Sequence, residues 1–566
     1  MSFHSEFVMR IFDINFSGCL FRSCKIAIFP LGLRSVSITR MFNIRRILLL
    51  FLFSITFCPG SKGQMPEESS GTSKPMRVEF PAKSTDETYR IIPCGKTGMM
   101  LFFKSIELIG DSMSKWYFSF YDQNLNQSWV KSIPVWKNLM FQESAFNHDT
   151  LSMLFTKQGK EKSGRFGFTI FRLALKSSTI IGNNGMIPEE AEEIKFQMLH
   201  QLAFICYDLK NEPAQVQILQ LQTGASNTFA LSKGIASKAS EFSVDTATLR
   251  IRAAISHPSS FKSRLENFLV SMDLNGKIIA EIPLDQSVSN RYLRGIEFVS
   301  SDPESWLVFG SYGSTPLKTT GKIKKATESS GFFTCKLNTG QLSEINFVNL
   351  LELNHSKDLL GEKDIIALKK KALKKNRSIS DYSLDYPLLL HKVFRHNDQF
   401  ILLAETFTPQ YHSESFTDFD FYGRPYVNSY DVFDGYRYNN GIVAAFDKEG
   451  KLAWDNTLEI RNLLSYELVP KIMIFFTPEN EAVLAYLSEG KIASKIIKEN
   501  AVIEKLDFSP LELSNPEDKL LVESKSGMLP WYDNFFLCYG YQEIKNIKSG
   551  GNNKRLVFQV TKIAFD

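Results

Sequence analysis

The sequence lacks the compact motifs that mark common enzyme sites. It contains no G-x-S-x-G nucleophile turn, no H-E-x-x-H zinc helix, no G-x-G-x-x-G dinucleotide loop and no G-x-x-x-x-G-K-S/T phosphate loop. No two of its seven cysteines form a C-x-x-C pair, and none of its eight histidines has the spacing of metal ligands. The sequence therefore predicts no cofactor and no metal site, and it weakens the case for an enzyme without excluding one.

Long hydrophobic runs are also missing, apart from one near the start. This run spans residues 47–57, about 11 residues, and is too short to cross a bilayer. It follows Arg45 and Arg46 and precedes a short stretch of small residues that ends before Gln64, which is the pattern of a secretory signal peptide. We therefore expect a presequence over residues 1–63, no transmembrane span in the mature chain, and export to a periplasmic, cell-surface or extracellular location.

An excess of positive charge is absent once the presequence is set aside. Residues 1–63 hold eight Lys or Arg and two acids, so their removal leaves 58 basic and 59 acidic residues, and the formal net charge changes from +5 to −1. A nearly neutral chain has no electrostatic footprint for nucleic acid. We therefore expect no nucleic-acid partner.

The cysteines are few and far apart. Cys58 could carry a lipid anchor, but Phe57 stands where the cleaving peptidase requires a small residue. The four cysteines of the expected mature chain lie in apolar runs, which predicts buried free thiols: Cys94, Cys206, Cys335 and Cys538. If the fold closes into a ring, a disulfide between the first and last of these is an alternative.

What the chain does contain is a recurring hairpin pattern, two strand-like runs joined by a turn, often with glycine. Glycine suits such turns because it accepts positive φ without a Cβ clash. The pattern is clearest at residues 446–458 (FDKEGKLAWDNTL) and recurs at residues 272–284, 121–133 and 486–497. With 47 Phe and 19 Tyr, the composition also favours strands. The chain is therefore predicted to be all-β.

The strand-like runs group into units that recur every 40 to 60 residues, roughly the period of β-propeller blades. We expect about eight blades, with seven as the alternative, over residues 77–566. The predicted units span residues 89–135, 143–181, 196–231, 239–284, 293–348, 388–460, 466–508 and 526–566. The last unit is one strand short, so the strand at residues 77–80 is expected to complete it and close the ring. Residues 64–76 are expected to be a flexible tether.

Two insertions interrupt these units. The first, residues 350–386, is predicted to be helical, with its helix near residues 361–375, because acids begin that stretch and lysines end it. The second, residues 409–440, is predicted to be an aromatic and acidic loop. Long loops on a rigid scaffold often carry binding residues.

The second insertion holds the candidate ligand-binding residues. They combine rings that can stack on a ligand with carboxylates and guanidinium groups that can bind its polar edges. They are Asp418, Asp420, Tyr422, Arg424, Tyr426, Tyr430, Asp431, Asp434, Tyr436, Arg437 and Tyr438. Two interpretations remain open: contact with a glycan, peptide or protein partner, or packing of the rings onto their own blade with the acids in solvent.

A third interpretation is catalytic. Paired carboxylates could make the chain a carbohydrate-active enzyme, either a glycoside hydrolase or a lyase, but the sequence does not supply the distance between them. Glu405 interrupts an apolar run; it points either to the exposed face of a strand, which we favour, or into the core, where it would need a partner. We expect a non-catalytic binding or scaffold protein, with the enzyme as the alternative.

Residues 445–454 (AFDKEGKLAW) resemble the tryptophan-docking repeat of quinoprotein (PQQ-type) β-propellers. The matching positions are Ala445, Asp447, Gly450, Lys451 and Trp454, and Trp129 holds the same place in another copy. The repeat's threonine and the family's adjacent-cysteine pair are missing. The resemblance therefore implies an architecture with tryptophans wedged between blades and says little about quinone, so a quinone dehydrogenase ranks third, after the binding protein and the carbohydrate-active enzyme. The whole chain also looks like large secreted propeller proteins of unknown role, from which no functional residue follows.

Overall fold

The computed structural model describes residues 76–85, 88–110, 112–157, 165–258, 265–284, 291–302, 305–314, 328–338, 340–360, 362–375, 382, 384–548 and 553–565. The predicted signal peptide, Cys58 and nearly all of the predicted tether lie outside the described residues. Strands dominate the described chain, since its apolar runs are rich in Phe, Ile, Val and Leu. The chain is therefore all-β, as the sequence predicts.

Strand β1 (Met76–Pro81) comes first in the described chain but belongs to none of the first four blades. Blade 1 contains β2 (Arg90–Pro93), β3 (Met99–Ile109), β4 (Met113–Tyr121) and β5 (Gln127–Trp136). Blade 2 contains β6 (Leu139–Asn147), β7 (Thr150–Lys157), β8 (Arg165–Ala174) and β9 (Thr179–Pro188). Blade 3 contains β10 (Glu192–Leu199), β11 (Leu202–Asp208), β12 (Gln215–Gln220) and β13 (Ser226–Ala230). Blade 4 contains β14 (Lys238–Asp245), β15 (Arg250–Pro258), β16 (Leu265–Asp273) and β17 (Ile278–Pro283).

The second half of the chain continues with larger blades. Blade 5 contains β18 (Tyr292–Asp302), β19 (Ser305–Gly313), β21 (Gly331–Asn338), β22 (Gln341–Leu342) and β23 (Asn346–Asn349). Blade 6 contains β20 (Glu328–Ser329), β24 (Tyr386–Leu390), β25 (Phe394–His396), β26 (Gln399–Phe419), β27 (Pro425–Phe446), β28 (Leu452–Glu459) and β29 (Leu464–Ser465). Blade 7 contains β30 (Met473–Phe476), β31 (Ala482–Ser488), β32 (Lys491–Lys498) and β33 (Ala501–Pro510). Blade 8 contains β34 (Asp518–Tyr532), β35 (Phe535–Asn546) and β36 (Lys554–Ala564), and β1 completes it.

The blades form a ring around their first strands. First strands of successive blades contact each other at β6 and β10, at β10 and β14, at β14 and β18, and at β30 and β34, while β34 also contacts β2 of blade 1. Neighbouring strands within each blade are antiparallel. The fold is a β-propeller with eight sheets among the described residues. It agrees with the sequence-based expectation of a propeller of about eight blades.

Eight apolar clusters hold the ring together, one between each pair of adjacent blades. The cluster between blades 1 and 2 contains Phe102 and Phe155, for example, and the cluster between blades 8 and 1 contains Leu537 and Leu101. The other six join the remaining neighbouring blades in turn. Because each sheet is apolar on both faces, burial between blades is the main driving force for the fold.

The two ends of the described chain close the ring. Strand β1 pairs with β36 from Met76 opposite Lys562 to Pro81 opposite Val557, so the N-terminal strand becomes the outer strand of blade 8. Trp531 Nε1 donates a hydrogen bond of 2.8 Å from blade 8 to the carbonyl oxygen of Gly98 in blade 1. The prediction that the N-terminal strand completes the last blade is confirmed. This pairing covers an edge of β36 that would otherwise be open.

Three of the four recurring turns, those of residues 121–133, 272–284 and 446–458, share one hydrogen-bond pattern. In the turn after β27, Asp447 Oδ1 accepts from the backbone nitrogens of Glu449 at 3.0 Å and Lys451 at 2.8 Å. Gly450 then takes a φ of +77°, a region that L side chains rarely adopt. Asp273 makes the same two bonds in blade 4. In these two hairpins, an aspartate three residues before glycine therefore stabilises the turn.

The helical insertion follows β23. It contains a 3-10 turn (Leu350–Glu352), α1 (Ser356–Leu360) and α2 (Glu362–Lys374). The buried carboxylate of Asp455 in blade 6 accepts from the backbone nitrogens of Asn354 at 2.9 Å and His355 at 3.0 Å, which anchors the insertion to the propeller. Helix α2 lies within the stretch predicted to be helical.

The four cysteines of the described chain are free and buried. Burial raises the pKa of the Cys94 thiol to about 12. Cys94 packs between blades 1 and 2, whereas Cys538 packs between blades 7 and 8. The alternative disulfide between these two is therefore not formed, since their side chains lie in different interblade cores.

Candidate functional site

The aromatic and acidic insertion is a β-hairpin and not the loop that the sequence suggested. Strands β26 and β27 pair from Phe400 opposite Phe446 at the base to Phe419 opposite Pro425 at the tip. Only the inner part of this hairpin belongs to the sheet of blade 6: β24 pairs with β26 no further out than Thr406, and β29 pairs with β27 at Tyr436 and Arg437. Beyond these points the hairpin extends as a ribbon of two strands.

The tip of the hairpin uses the turn of the repeats. Asp420 Oδ1 accepts from the backbone nitrogens of Tyr422 at 2.9 Å and Arg424 at 2.8 Å, and Gly423 has a φ of +74°. The segment DFYGR therefore matches the turn DKEGK at residues 447–451. The pattern was visible in the sequence, but the many aromatic and polar residues around it favoured a loop.

We name residues 410–435 the distal hairpin. Its aromatic and apolar side chains are largely exposed: Phe421 is 97% exposed, Tyr422 79%, Val427 71% and Phe419 63%. It holds five acids against one arginine, a net charge of −4 with His412 neutral. No third strand pairs with it among the described residues. The distal hairpin is therefore an exposed, acidic and aromatic surface.

One face of the distal hairpin alternates acids with rings. The register places Glu414 opposite Tyr430 and Asp418 opposite Tyr426 on this face. Tyr430 donates its hydroxyl to Glu414 Oε2 at 2.5 Å, and Tyr426 donates to Asp418 Oδ2 at 3.1 Å. Phe416, between them, lies 6.1 Å from Tyr430 between ring centres. Each of these two acids thus accepts a hydrogen bond from the exposed tyrosine opposite it.

His412 continues this face toward the propeller. Its Nδ1 lies 2.6 Å from Asp434 Oδ1, and its Nε2 lies 3.4 Å from Glu414 Oε1. The hydrogen bond with Asp434, followed by that with Glu414, raises the pKa of His412. Hydrogen bonds from Tyr430 and then His412 lower the pKa of Glu414. His412 therefore keeps its positive charge to a higher pH than an isolated histidine does.

The predicted site residues divide into two groups. Most lie on the distal hairpin or its base with side chains reaching solvent: Asp418, Asp420, Tyr422, Arg424, Tyr426, Tyr430, Asp431, Asp434 and Arg437. Tyr436 is half-buried and packs against Phe407 and Phe433. Tyr438 is buried in the core between blades 6 and 7, and its hydroxyl donates to the carbonyl oxygen of Val469 at 2.7 Å. Tyr438 is therefore a packing residue and does not belong to the exposed surface.

Glu405 is fully buried, so the expectation that it points to an exposed strand face is wrong. Its Oε1 accepts from His391 Nε2 at 2.9 Å and from the backbone nitrogens of Lys471 at 2.7 Å and Ile472 at 2.6 Å. The first partner lies in blade 6, and the other two lead into blade 7. Glu405 therefore joins two blades, which explains an acid in an otherwise apolar strand.

A second charged cluster was missed by the sequence analysis. It lies on the first strands of blades 2 to 5 and next to that of blade 6: Glu143, Lys195, Glu241, Glu297 and Lys392. Each of the first four directly follows a β-bulge. A bulge changes which face of a strand a side chain occupies, so alternation along the sequence did not reveal this cluster. We name it the channel cluster, since first strands surround the propeller axis.

Burial dominates the electrostatics of the channel cluster. Burial, followed by the charge of Glu241, raises the pKa of Glu297 to about 8, against the opposing charges of Lys392 and Lys195. Burial also raises the pKa values of Glu143 and Glu241. Two members bridge blades, since Glu143 Oε2 accepts from the backbone nitrogen of Phe196 at 2.6 Å and Lys195 Nζ donates to the carbonyl oxygen of Ala239 at 2.8 Å. Burial therefore favours the protonated form of all three acids in the cluster.

Two further features bear on function. Within the described ranges, no group of three or more His, Cys, Asp or Glu side chains is arranged to hold a metal ion. No helix in the part of the chain that the structure describes is long and apolar enough to cross a membrane.

No protein-family model and no curated protein matches this chain. Solved structures do show similarity. The polysaccharide lyase Uly1 has 8% identity and a TM-score of 0.35, over 75% of this chain and 89% of the lyase. A Pyrococcus horikoshii acylaminoacyl peptidase has 9% identity and a TM-score of 0.32, over 72% of this chain and 50% of the peptidase. At these TM-scores the similarities support no statement about activity or ligand.

Proposed function

We propose that the chain is an exported binding protein that docks a partner protein through the distal hairpin. The observation that carries this proposal is the exposure of aromatic side chains along a two-stranded ribbon. Such a ribbon is only marginally stable in water by itself, because neither face is buried. Exposed apolar surface held on a rigid fold is typical of an interaction site.

The charge of the distal hairpin favours a partner with a basic surface. Tyrosine and arginine are enriched at the energetic centres of protein interfaces, and the distal hairpin presents Tyr422, Tyr426 and Tyr430 next to carboxylates. Its net charge of −4 attracts lysine and arginine side chains, which can also lie over the exposed rings. A glycan stacked on the same rings is the competing ligand, and the experiment below separates the two.

A shortened hairpin tests this proposal. Deleting residues 412–417 and 427–432 removes six residues from each strand and preserves the alternation of faces. It leaves Tyr411 opposite Phe433, Asp418 opposite Tyr426, and the tip turn intact. Peptide arrays of graded lysine and arginine content and glycan arrays are probed with both proteins. The matched control is the double variant Ser415→Ala and Ser429→Ala, on the opposite face.

We expect wild type and the control to bind basic peptides, with binding that weakens as salt rises from 50 to 500 mM. The shortened protein, with unchanged thermal stability, should lose that binding. If glycans are bound and lost in the same way, the partner is a glycan and the protein-docking proposal fails. If the shortened protein binds every probe as wild type does, residues 412–417 and 427–432 of the distal hairpin are not the site.

A second candidate function is favoured by the channel cluster. Burial raises the pKa of Glu297 to about 8, which suits a general acid at neutral pH, and the charge of a second acid, Glu241, contributes to this shift. A general acid beside a second carboxyl group is what acid and base catalysis of glycoside cleavage requires. Polysaccharide digests followed by reducing-end and unsaturated-product assays test this. Activity that is lost in Glu297→Gln and retained in the shortened hairpin would establish an enzyme.

A further inference from the structure

Both edges of the distal hairpin are open along most of their length. Strand β24 pairs with β26 no further out than Thr406, and β29 pairs with β27 only at Tyr436 and Arg437. Between these points and the tip, no third strand pairs with either edge among the described residues. An open edge presents backbone N–H and C=O groups that can pair with a strand of another chain.

The register shows which backbone groups point outward. Asp420 N donates to the carbonyl oxygen of Arg424 at 3.0 Å, so these two residues form a hydrogen-bonded pair. Hydrogen-bonded and non-hydrogen-bonded pairs alternate along an antiparallel ladder. Counting from the tip, Ser415 and Ser429 form a non-hydrogen-bonded pair, as does Pro425, which has no N–H to donate. The backbone groups of Ser415 and Ser429 therefore point outward, from β26 and from β27 respectively.

The edge of β26 is the acidic one. Glu414 and Asp418 lie on one face of β26, with Phe416 between them, and all three side chains are exposed. The same face of β27 carries tyrosine, asparagine and valine from residue 426 to residue 432, and no acid. A strand added to β26 places its side chains directly beside the two acids, where opposite charges stabilise the pairing and like charges destabilise it.

These charges decide between two occupants of the edge. A second copy of this chain brings a distal hairpin with the same net charge of −4, so the two edges repel each other. Charged side chains on an edge strand are a known protection against such self-association. A basic segment meets no such repulsion, and its side chains can also lie over the ring of Phe416.

We propose that the partner protein adds an extended, lysine- or arginine-rich segment as a third strand along β26 at residues 413–417. This inference rests on the proposed docking function of the distal hairpin. The outward backbone groups of Ser413, Ser415 and Thr417 pair with the backbone of the segment, while Glu414 and Asp418 contact its basic side chains. A folded basic surface lying on the rings would need none of these backbone groups, so the two modes of docking can be told apart.

Proline substitutions test the edge without removing a hydrogen bond of the hairpin. Ser415→Pro removes an outward N–H from β26, and Ser429→Pro removes the one opposite it from β27; neither N–H belongs to the ladder between these strands. The probe is a nine-residue peptide of alternating lysine and valine with blocked ends. Its affinity for the full chain is measured by isothermal titration. Hydrogen–deuterium exchange of wild type, with and without the peptide, is followed by mass spectrometry.

We expect Ser415→Pro to weaken peptide binding at least tenfold, because it removes a backbone hydrogen bond and its ring fills space that the added strand needs. Ser429→Pro is the matched control and should bind within twofold of wild type. In wild type, the peptide should slow exchange in residues 410–419 and leave exchange in residues 425–435 unchanged.

Three results would overturn the added strand: no binding of the peptide to wild type at 1 mM, equal affinities of the two proline variants, or equal protection of both strands of the hairpin. If the shortened hairpin loses basic peptides while Ser415→Pro keeps them, the docking function stands and only the added strand is excluded. The exchange measurement uses wild type, so it decides the question even if Ser415→Pro lowers the melting temperature.

Discussion

Replacing Glu297 by glutamine should remove a pH-dependent loss of stability. Burial and the charge of Glu241 raise the pKa of Glu297 from 4.5 to about 8 in the folded protein, although Lys392 and Lys195 oppose the shift. Between these two values the folded state binds a proton that the unfolded state has released. Stability from this group is therefore highest below pH 4.5, falls as pH rises, and is lowest above about pH 8.

The shift sets the size of the effect. At about 1.4 kcal/mol for each unit of pKa shift, the loss of unfolding free energy above pH 8 is no more than about 5 kcal/mol. A cooperative unit of roughly 490 residues has an unfolding entropy of about 1 kcal/mol/K, so the melting temperature changes by up to about 5 °C. Any screening of the charge by solvent reduces both figures.

Thermal unfolding between pH 5 and pH 9 at constant ionic strength measures this effect. Glu297→Gln should melt at a higher temperature than wild type at pH 9, and the difference should shrink toward pH 5. Glu512→Gln, at an exposed position, is the control and should follow wild type throughout. If Glu297→Gln shows the same pH slope as wild type, the carboxyl group is not buried among these charges and the reasoning fails.

Three further changes test the fold. Glu405→Ala leaves three hydrogen-bond donors without an acceptor, so a denaturant titration should show a free energy of unfolding lower by about 3–5 kcal/mol. A decrease below 1 kcal/mol would contradict the buried contact. Deleting residues 76–81 exposes an edge of blade 8 and should cause aggregation by light scattering; a monomer with an unchanged melting temperature would show that the ring does not depend on β1. Gly450→Ala would place a Cβ 2.8 Å from Thr334 Oγ1, whereas Gly423→Ala has a similar positive φ in open space, so Gly450→Ala should lower the free energy of unfolding more. The backbone strain that both variants share is about 1–2 kcal/mol. Equal losses of unfolding free energy would exclude a contribution from the contact with Thr334.

Local patterns predicted much of the architecture. Aromatic and β-branched runs marked the strands, and residues 446–458 showed the turn that recurs along the chain. A missing strand in the last unit indicated that the N-terminal strand must complete it. These predictions worked because strand propensity and turn chemistry depend on residues close in sequence.

The sequence pointed to the residues of the candidate site, but it did not predict their secondary structure or their burial. The residues of the distal hairpin were identified, yet the segment was expected to be a loop although DFYGR matches a repeat turn. Tyr438 was grouped with exposed rings because sequence does not show where the sheet of blade 6 ends. The depth of each residue depends on how far pairing with β24 and β29 extends along the hairpin, which the sequence of the hairpin does not show.

The sequence by itself determined the all-β class and the repeating hairpins, since both follow from short-range patterns. The closure by β1 followed from the number of strands in the last unit, although β1 and β36 lie at opposite ends of the described chain. Only the tertiary structure decided which charges are buried together. Glu405 meets the backbone nitrogens of Lys471 and Ile472 because blades 6 and 7 touch there, and Glu297 meets Glu241 because bulges turn both toward the axis. Burial and electrostatics depend on distances in space between residues far apart in sequence, which no local pattern records.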